Sequence, residues 1–142
     1  MTLHGLNFWG VIIAILVTFV SGGIWFGPKT FYPLWMKARG IESGQLTANQ
    51  NKPALLFGST FIAIIIQVMV LGAIITSLQV HTPTIGAAGG AGIGFLIGLG
   101  IAAFNSLPHR LFGGENYKSW IIECSNDVLN LTIAGAIIAA FN

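Results

Sequence analysis

Four long apolar runs divide the chain, at residues 8–28, 54–80, 84–108 and 120–141. The first three runs contain no charged residue, and the fourth carries two acids near its start. A helix needs about 20 residues to cross a hydrocarbon core about 30 Å thick, and every run reaches that length. Apolar and polar residues do not alternate along the runs as they do in a membrane β-barrel. The pattern therefore predicts four transmembrane helices, over about 8–28, 54–80, 84–107 and 120–141.

Composition supports this class. Hydrophobic residues make up 54% of the 142 residues and charged residues only 7%, whereas a soluble domain carries about 25% charged residues. The length fits a single domain, 1–142. We predict an all-α integral membrane protein folded as an antiparallel four-helix bundle.

A net charge of +2 is too small to indicate nucleic-acid binding. One cysteine and three scattered histidines form a poor ligand set, so we predict no metal and no cofactor.

The basic residues predict the orientation in the membrane. They all lie in two segments, one between the first and second runs and one between the third and fourth: Lys29, Lys37, Arg39, Lys52, Arg110 and Lys118. The positive-inside rule places both segments in the cytoplasm and both termini outside. The first run is longer than the apolar region of a signal peptide, and bulky residues follow it, so we expect it to be retained.

The stretch "IWFGPKTFYPLWMKARG", residues 24–40, follows the first run. Pro28 is expected to end the helix, because proline lacks an N–H and clashes one turn back. Trp25, Phe26 and Trp35 then fall at the depth of the headgroups, which amphipathic aromatic rings favour. Basic residues beside them would face anionic lipid. We interpret residues 29–53 as a cytoplasmic amphipathic, aromatic loop that anchors the protein at the interface, in preference to a ligand site.

The same stretch resembles the bacterial membrane protein family called domain of unknown function 1761. In that family the first helix ends in a Gly–x–Trp–aromatic–x–Pro pattern, and a second tryptophan and a glycine follow. The matching positions are Gly23, Trp25, Phe26, Pro28, Trp35 and Gly40. The last run is similar to the family's last helix, with a polar Asn126–Asp127 pair and a small-residue ending at 135–137. Phe26 departs from the family's frequent tyrosine. The resemblance implies a four-helix protein of a bacterial inner membrane and supplies no activity.

The third run carries a stripe of glycines. Gly86, Gly90, Gly94 and Gly98 recur every four residues and share one helical face. Small residues let two membrane helices approach closely. Two interpretations stay open for this helix-packing face, a contact inside the same bundle and a seam between copies in a homo-oligomer.

The fourth run carries the acids. Glu123, Asp127 and Asn130 share a helical face, and Asn126 flanks it. Asp127 lies about 10 Å beyond Trp120 along the helix axis, so an ionised carboxylate there is costly. Two acids one turn apart also oppose each other's ionisation, which calls for a shared proton or a nearby cation. We expect Lys118 and Arg110 to be those cations, and Gln67 to pair with Asn130.

This face admits two functional interpretations. In the first, it binds a proton, a cation or a small substrate in an oligomeric pore or carrier, in which case the acids are the ion-binding residues. In the second, it is a polar seam that holds helices together in a non-catalytic scaffold or accessory subunit. A lipid-modifying or redox enzyme ranks last, because no residue has a catalytic setting. Beyond the lipid bilayer and further copies of the chain, no partner is predicted.

Overall fold

A computed structural model describes residues 5–41 and 52–142, and all regular structure in these residues is helical. The helices are α1 Phe8–Trp25, α2 Tyr32–Ala38, α3 Pro53–His81, α4 Ala87–Ile97, a π-helical segment Gly98–Ala103, α5 Phe104–Phe112 and α6 Tyr117–Phe141. Four spans are long and apolar enough to cross a membrane: α1, α3, α6 and the continuous stretch Ala87–Phe112. The predicted all-α membrane fold is thus confirmed. Within the predicted loop 29–53, residues 42–51 lie outside the described part.

Two helix ends differ from the predicted bounds because side chains cap them. Helix α1 ends at Trp25, three residues before Pro28, and the Thr30 hydroxyl donates back to the Trp25 carbonyl at 2.8 Å. Helix α6 begins at Tyr117 because the Asn116 carboxamide oxygen accepts the backbone N–H groups of Lys118 and Ser119, both at 3.0 Å. Such caps satisfy backbone groups that have no partner inside the helix.

The third span is interrupted. A π-helical segment, Gly98–Ala103, joins α4 to α5, and Pro108 lies inside α5 rather than at the end of a helix. The Ala103 carbonyl accepts hydrogen bonds from the Trp120 indole N–H at 3.2 Å and the Ser106 hydroxyl at 2.7 Å. Side chains thus satisfy the Ala103 carbonyl at the point where the hydrogen-bonding pattern of the helix changes.

Helix α6 is the centre of the bundle, with α1, α3 and α4 packed around it. The core is made of buried apolar side chains from α1, α3 and α6, with Leu71, Ile75 and Ile138 at most 1% exposed. In α3 the first buried residue is Val68. The residues of α3 that precede Val68 are exposed or half-buried, with Ile64 packed against the core.

The glycines of α4 lie directly on α6 of the same chain. A Cβ atom at Gly90 would overlap the Gly135 carbonyl oxygen, and one at Gly94 would overlap the Leu131 carbonyl oxygen. A Cβ at Gly98 would lie 2.9 Å from the Val128 Cα. These three glycines are buried, whereas Gly86 is exposed with open space around it.

The bundle has two distinct ends. The end that holds α2, α5 and the start of α6 is called the basic end, since Arg39 and Arg110 lie there. The opposite end is called the terminal end. There the Asn142 side chain accepts the Asn7 backbone N–H at 2.9 Å and donates to the Thr76 hydroxyl at 3.1 Å. Three spans are therefore joined at the terminal end by one asparagine.

Candidate functional site on helix α6

Four charged side chains converge at the basic end and form what we call the charge cluster: Arg39, Arg110, Glu115 and Glu123. Arg110 Nη1 lies 2.6 Å from Glu123 Oε2 and 3.0 Å from Glu115 Oε2. Arg39 Nη1 lies 3.1 Å from Glu115 Oε1 and 3.6 Å from Glu123 Oε1. Each arginine bridges both acids, so two positive and two negative charges balance where the bundle meets the headgroup region.

Helix α2 is fastened to α6 through this cluster. The Trp35 indole N–H donates to Glu123 Oε1 at 2.6 Å, and the Arg39 guanidinium lies over the Trp35 ring, 5.1 Å from its centroid. The Asn116 carboxamide also donates to the Ala38 carbonyl. Because both Trp35 and Arg39 touch Glu123, α2 lies across the entrance to the acidic face of α6.

Asp127 lies one turn deeper in the span than Glu123 and differs from it in exposure and in contacts. Its side chain is exposed on the surface of the single chain. Within the described residues, no hydrogen bond or ion pair engages it, although its neighbour Glu123 contacts two arginines. A charged carboxylate at this depth costs about 2.5–3.5 kcal/mol in contact with lipid. This cost favours contact of the ionised Asp127 with water or protein over contact with lipid.

Asn130 continues the polar line from Asp127 towards the middle of the span. Its amide donates to the Asn126 side-chain oxygen at 3.3 Å, and Asn126 is 8% exposed. The Asn130 Oδ1 atom is buried and has no hydrogen-bond partner among the described residues. Gln67 is exposed on α3 and forms no hydrogen bond with Asn130 there, so the predicted Gln67–Asn130 pair does not form. An orphaned buried carbonyl is costly, which makes Asn130 a point where a water or ligand would be favoured.

The cations beside the acids differ in part from those expected. Arg110 contacts Glu123 as predicted. Lys118 is exposed and forms no ion pair with a described acid. Arg39 was missed as a partner. Its position beside Trp35 in an aromatic, basic stretch was the available signal, but the stretch had been interpreted as an interface anchor alone.

The predicted interface anchors also contact the bundle. The Trp25 ring stacks on Phe31 with 4.2 Å between centroids, and its indole N–H donates to the Ile122 carbonyl at 3.1 Å. Phe26 packs edge-on against Trp35 at 6.3 Å, while Pro28 is exposed in the turn. Trp25 and Trp35 therefore bind α1 and α2 to the same helix that carries the acids.

The arrangement suits ionic chemistry more than covalent chemistry. Among the described residues, no group of three or more His, Cys, Asp or Glu side chains could hold a metal ion. What the site offers is one neutralised acid, Glu123, one exposed acid, Asp127, and one unpaired amide oxygen, on Asn130. Such oxygens can accept a proton or replace part of the hydration shell of a cation.

Three apolar spans packed around a central fourth, with a charge cluster at one end, define a multi-pass membrane protein. The family model described as "Protein of unknown function (DUF1761)" matches residues 9–139, which is nearly the whole chain. The chain belongs to this family, as the resemblance predicted. No curated protein and no solved structure matches it.

Proposed function

We propose that the protein moves protons or small cations across the membrane, with Asp127 as the group that takes up and releases the ion. The observation that carries the proposal is the exposure of the Asp127 carboxylate inside a membrane span, one turn below a charge cluster that neutralises Glu123. Ionisable groups at such positions line ion and proton pathways more often than they contact lipid.

The distribution of polar groups along α6 supports a half-open path. From the basic end, oxygen-bearing side chains follow one another inward, from Glu115 and Glu123 through Asp127 to Asn130. Beyond Asn130 the helix is sealed by close packing of Gly90 and Gly94 and by the buried Leu71, Ile75 and Ile138. This is the arrangement expected of a carrier that is open towards one side and closed towards the other.

Helix α2 gives the path a movable entrance. It is a helix of only seven residues with no buried residue, and it is held by Trp35 and Arg39 at the charge cluster. In the proposed cycle, release of these contacts opens Asp127 to the aqueous phase at the basic end. The positive-inside rule makes that phase the cytoplasm.

The exposure of Asp127 also supports a second function, that of a non-catalytic scaffold or accessory subunit. A single chain leaves the Asp127 side chain exposed. In a non-catalytic scaffold or accessory subunit, a helix from a partner protein or a second copy would cover this side chain, with polar side chains as the contact. Gly90, Gly94 and Gly98 are buried within the chain and have no surface to offer such a partner.

The two functions are distinguished by flux and mass measured together. Purified protein in liposomes with an internal pH dye is given pH gradients and a series of monovalent cations. Transport predicts flux in the wild type, loss of flux in Asp127→Asn, and an unchanged oligomer mass. The control is Lys118→Gln, which removes an exposed charge that has no ion pair among the described residues and lies outside the charge cluster, and which should retain flux. The scaffold predicts no flux at all and loss of assembly in Asp127→Leu.

A further inference from the structure

An apolar groove runs along the lipid-facing side of α1 near the basic end. It is lined by aliphatic and aromatic side chains that leave much of their surface exposed: Leu16, Val17, Val20, Ile24, Phe31 and Leu129. Its volume is about 470 Å³. Trp25, stacked on Phe31 at 4.2 Å, closes the groove at the basic end. We propose that this groove binds one anionic diacyl phospholipid of the leaflet at the basic end, with an acyl chain along α1 and the phosphate beside Lys29.

The side chains along the groove change from aliphatic to polar towards the basic end, just as a phospholipid changes from acyl chain to ester to headgroup. The deepest lining residues, Leu16 and Val17, are aliphatic. Ser21 lies about 6 Å from Trp25 along the helix axis, and its hydroxyl has no hydrogen-bond partner among the described residues. That is the depth of the ester carbonyls, just below the headgroups that tryptophans mark. Ser21 can therefore donate to an ester carbonyl of the bound lipid.

A basic residue next to the groove lining in the chain favours an anionic headgroup. Lys29 is exposed in the turn directly before Thr30, which lines the groove. The four ion pairs among the described residues all belong to the charge cluster and leave Lys29 without an acid. No acidic side chain lines the groove. The Thr30 hydroxyl is engaged by the carbonyls of Ile24 and Trp25, so Lys29 supplies the charge that a phosphate requires.

Bound lipid would support the site on α6 without being part of the proposed ion path. The groove includes Leu129 of α6, two residues from Asp127, and Trp25, which donates to the Ile122 carbonyl of the same helix. An acyl chain in the groove packs against these contacts between α1 and α6. This inference does not depend on transport, because a scaffold with the same groove would bind the same lipid.

Native mass spectrometry of the full chain in detergent tests the proposal. Delipidated protein is titrated with phosphatidylglycerol and, separately, with phosphatidylcholine of identical acyl chains. We expect one phosphatidylglycerol to be retained in preference to phosphatidylcholine. Lys29→Gln should reduce that preference about fivefold, the factor for one lysine beside an anionic headgroup. Lys37→Gln is the matched control, because it removes the same charge from α2 at a position that, unlike Lys29, is not next to a lining residue, and it should leave the preference unchanged.

A variant that fills the groove tests the acyl-chain contact. Ser21→Phe should abolish retention of the single lipid, whereas Leu96→Phe, at an exposed position of α4, should not. Equal retention of the two lipids would overturn the proposal, as would equal effects of Lys29→Gln and Lys37→Gln. The lysine variants change only exposed side chains, so the test holds even where Ser21→Phe fails to fold.

Discussion

The Trp35 indole nitrogen lies 2.6 Å from a carboxylate oxygen of Glu123, 88 residues further along the chain. The hydrogen bond joins the short helix α2 to the central helix α6, and it uses the same carboxylate that Arg39 and Arg110 contact. A tryptophan expected only to anchor the protein in the headgroup region thus donates a hydrogen bond to the charge cluster. The bond makes the position of α2 sensitive to the charge on Glu123.

Trp35→Phe should loosen α2 while keeping an aromatic ring at the interface. A hydrogen bond to a charged group contributes about 1.5–3 kcal/mol, so we expect a lower melting temperature and faster amide hydrogen exchange in Tyr32–Ala38. Trp9→Phe is the matched control, because Trp9 is 65% exposed at the other end of the bundle. Equal exchange in α2 for both variants would show that the bond does not hold the helix.

The second prediction concerns Arg110, which contacts both acids of the charge cluster. Arg110→Gln should destabilise the fold by more than the ~1 kcal/mol of an exposed ion pair and by less than the ~3–5 kcal/mol of a buried one. The reason is that Glu123 is 15% exposed and keeps Arg39 as a partner. Lys118→Gln removes an exposed charge without an ion pair among the described residues and serves as control in the same thermal melts. A larger loss in Lys118→Gln would contradict the assignment.

The third prediction concerns the glycines of α4. Gly94→Ala places a methyl group onto the Leu131 carbonyl oxygen, so α4 and α6 must separate. Overpacking of this kind costs about 1–3 kcal/mol, and backbone on both sides leaves little room to adjust. Gly92→Ala is the matched control. It meets open space and should be neutral or slightly stabilising, since alanine favours helix more than glycine by about 1 kcal/mol. Identical melting temperatures would mean that α4 and α6 are not in close contact.

The fourth prediction concerns orientation, which rests on the basic residues alone. In a Cys124→Ser background, Thr84→Cys at the terminal end should react with an impermeant maleimide in intact cells. Lys37→Cys at the basic end should react only after permeabilisation. Both positions are exposed in the single chain, so access depends on the side of the membrane. The reverse pattern would place the basic end outside the cytoplasm.

Periodicity and hydropathy were sufficient to predict the four spans, because each apolar run is long and each helix forms its own backbone hydrogen bonds. They were insufficient to predict which side chains pair between helices. The sequence places Glu123, Asp127 and Asn130 on one face, but which side chains reach them depends on the tilt and rotation of the neighbours. Among the described residues, Gln67 forms no hydrogen bond with Asn130, and Lys118 forms no ion pair with Glu123.

The contribution of Arg39 shows why long-range partners escaped prediction. It reaches Glu123 only because the chain reverses after Trp25 and α2 folds back across α6. The π-helical segment was equally invisible, because the apolar run 84–108 predicts only an uninterrupted helix. In the structure the Trp120 indole satisfies the Ala103 carbonyl and the helix continues to Phe112. Both features depend on contacts far apart in sequence, which no local pattern records.

The proposed ion path requires that water reach position 127 from the basic end. The direct measurement is reaction of Asp127→Cys, in the Cys124→Ser background, with a charged methanethiosulfonate added to one side of oriented vesicles. Leu129→Cys is the matched control, since Leu129 lies at similar depth on the same helix, 38% exposed in an apolar groove. We expect Asp127→Cys to react from the basic side and Leu129→Cys to remain unreacted. Failure of Asp127→Cys to react from that side, in protein whose melting profile is intact, would contradict the proposed ion path.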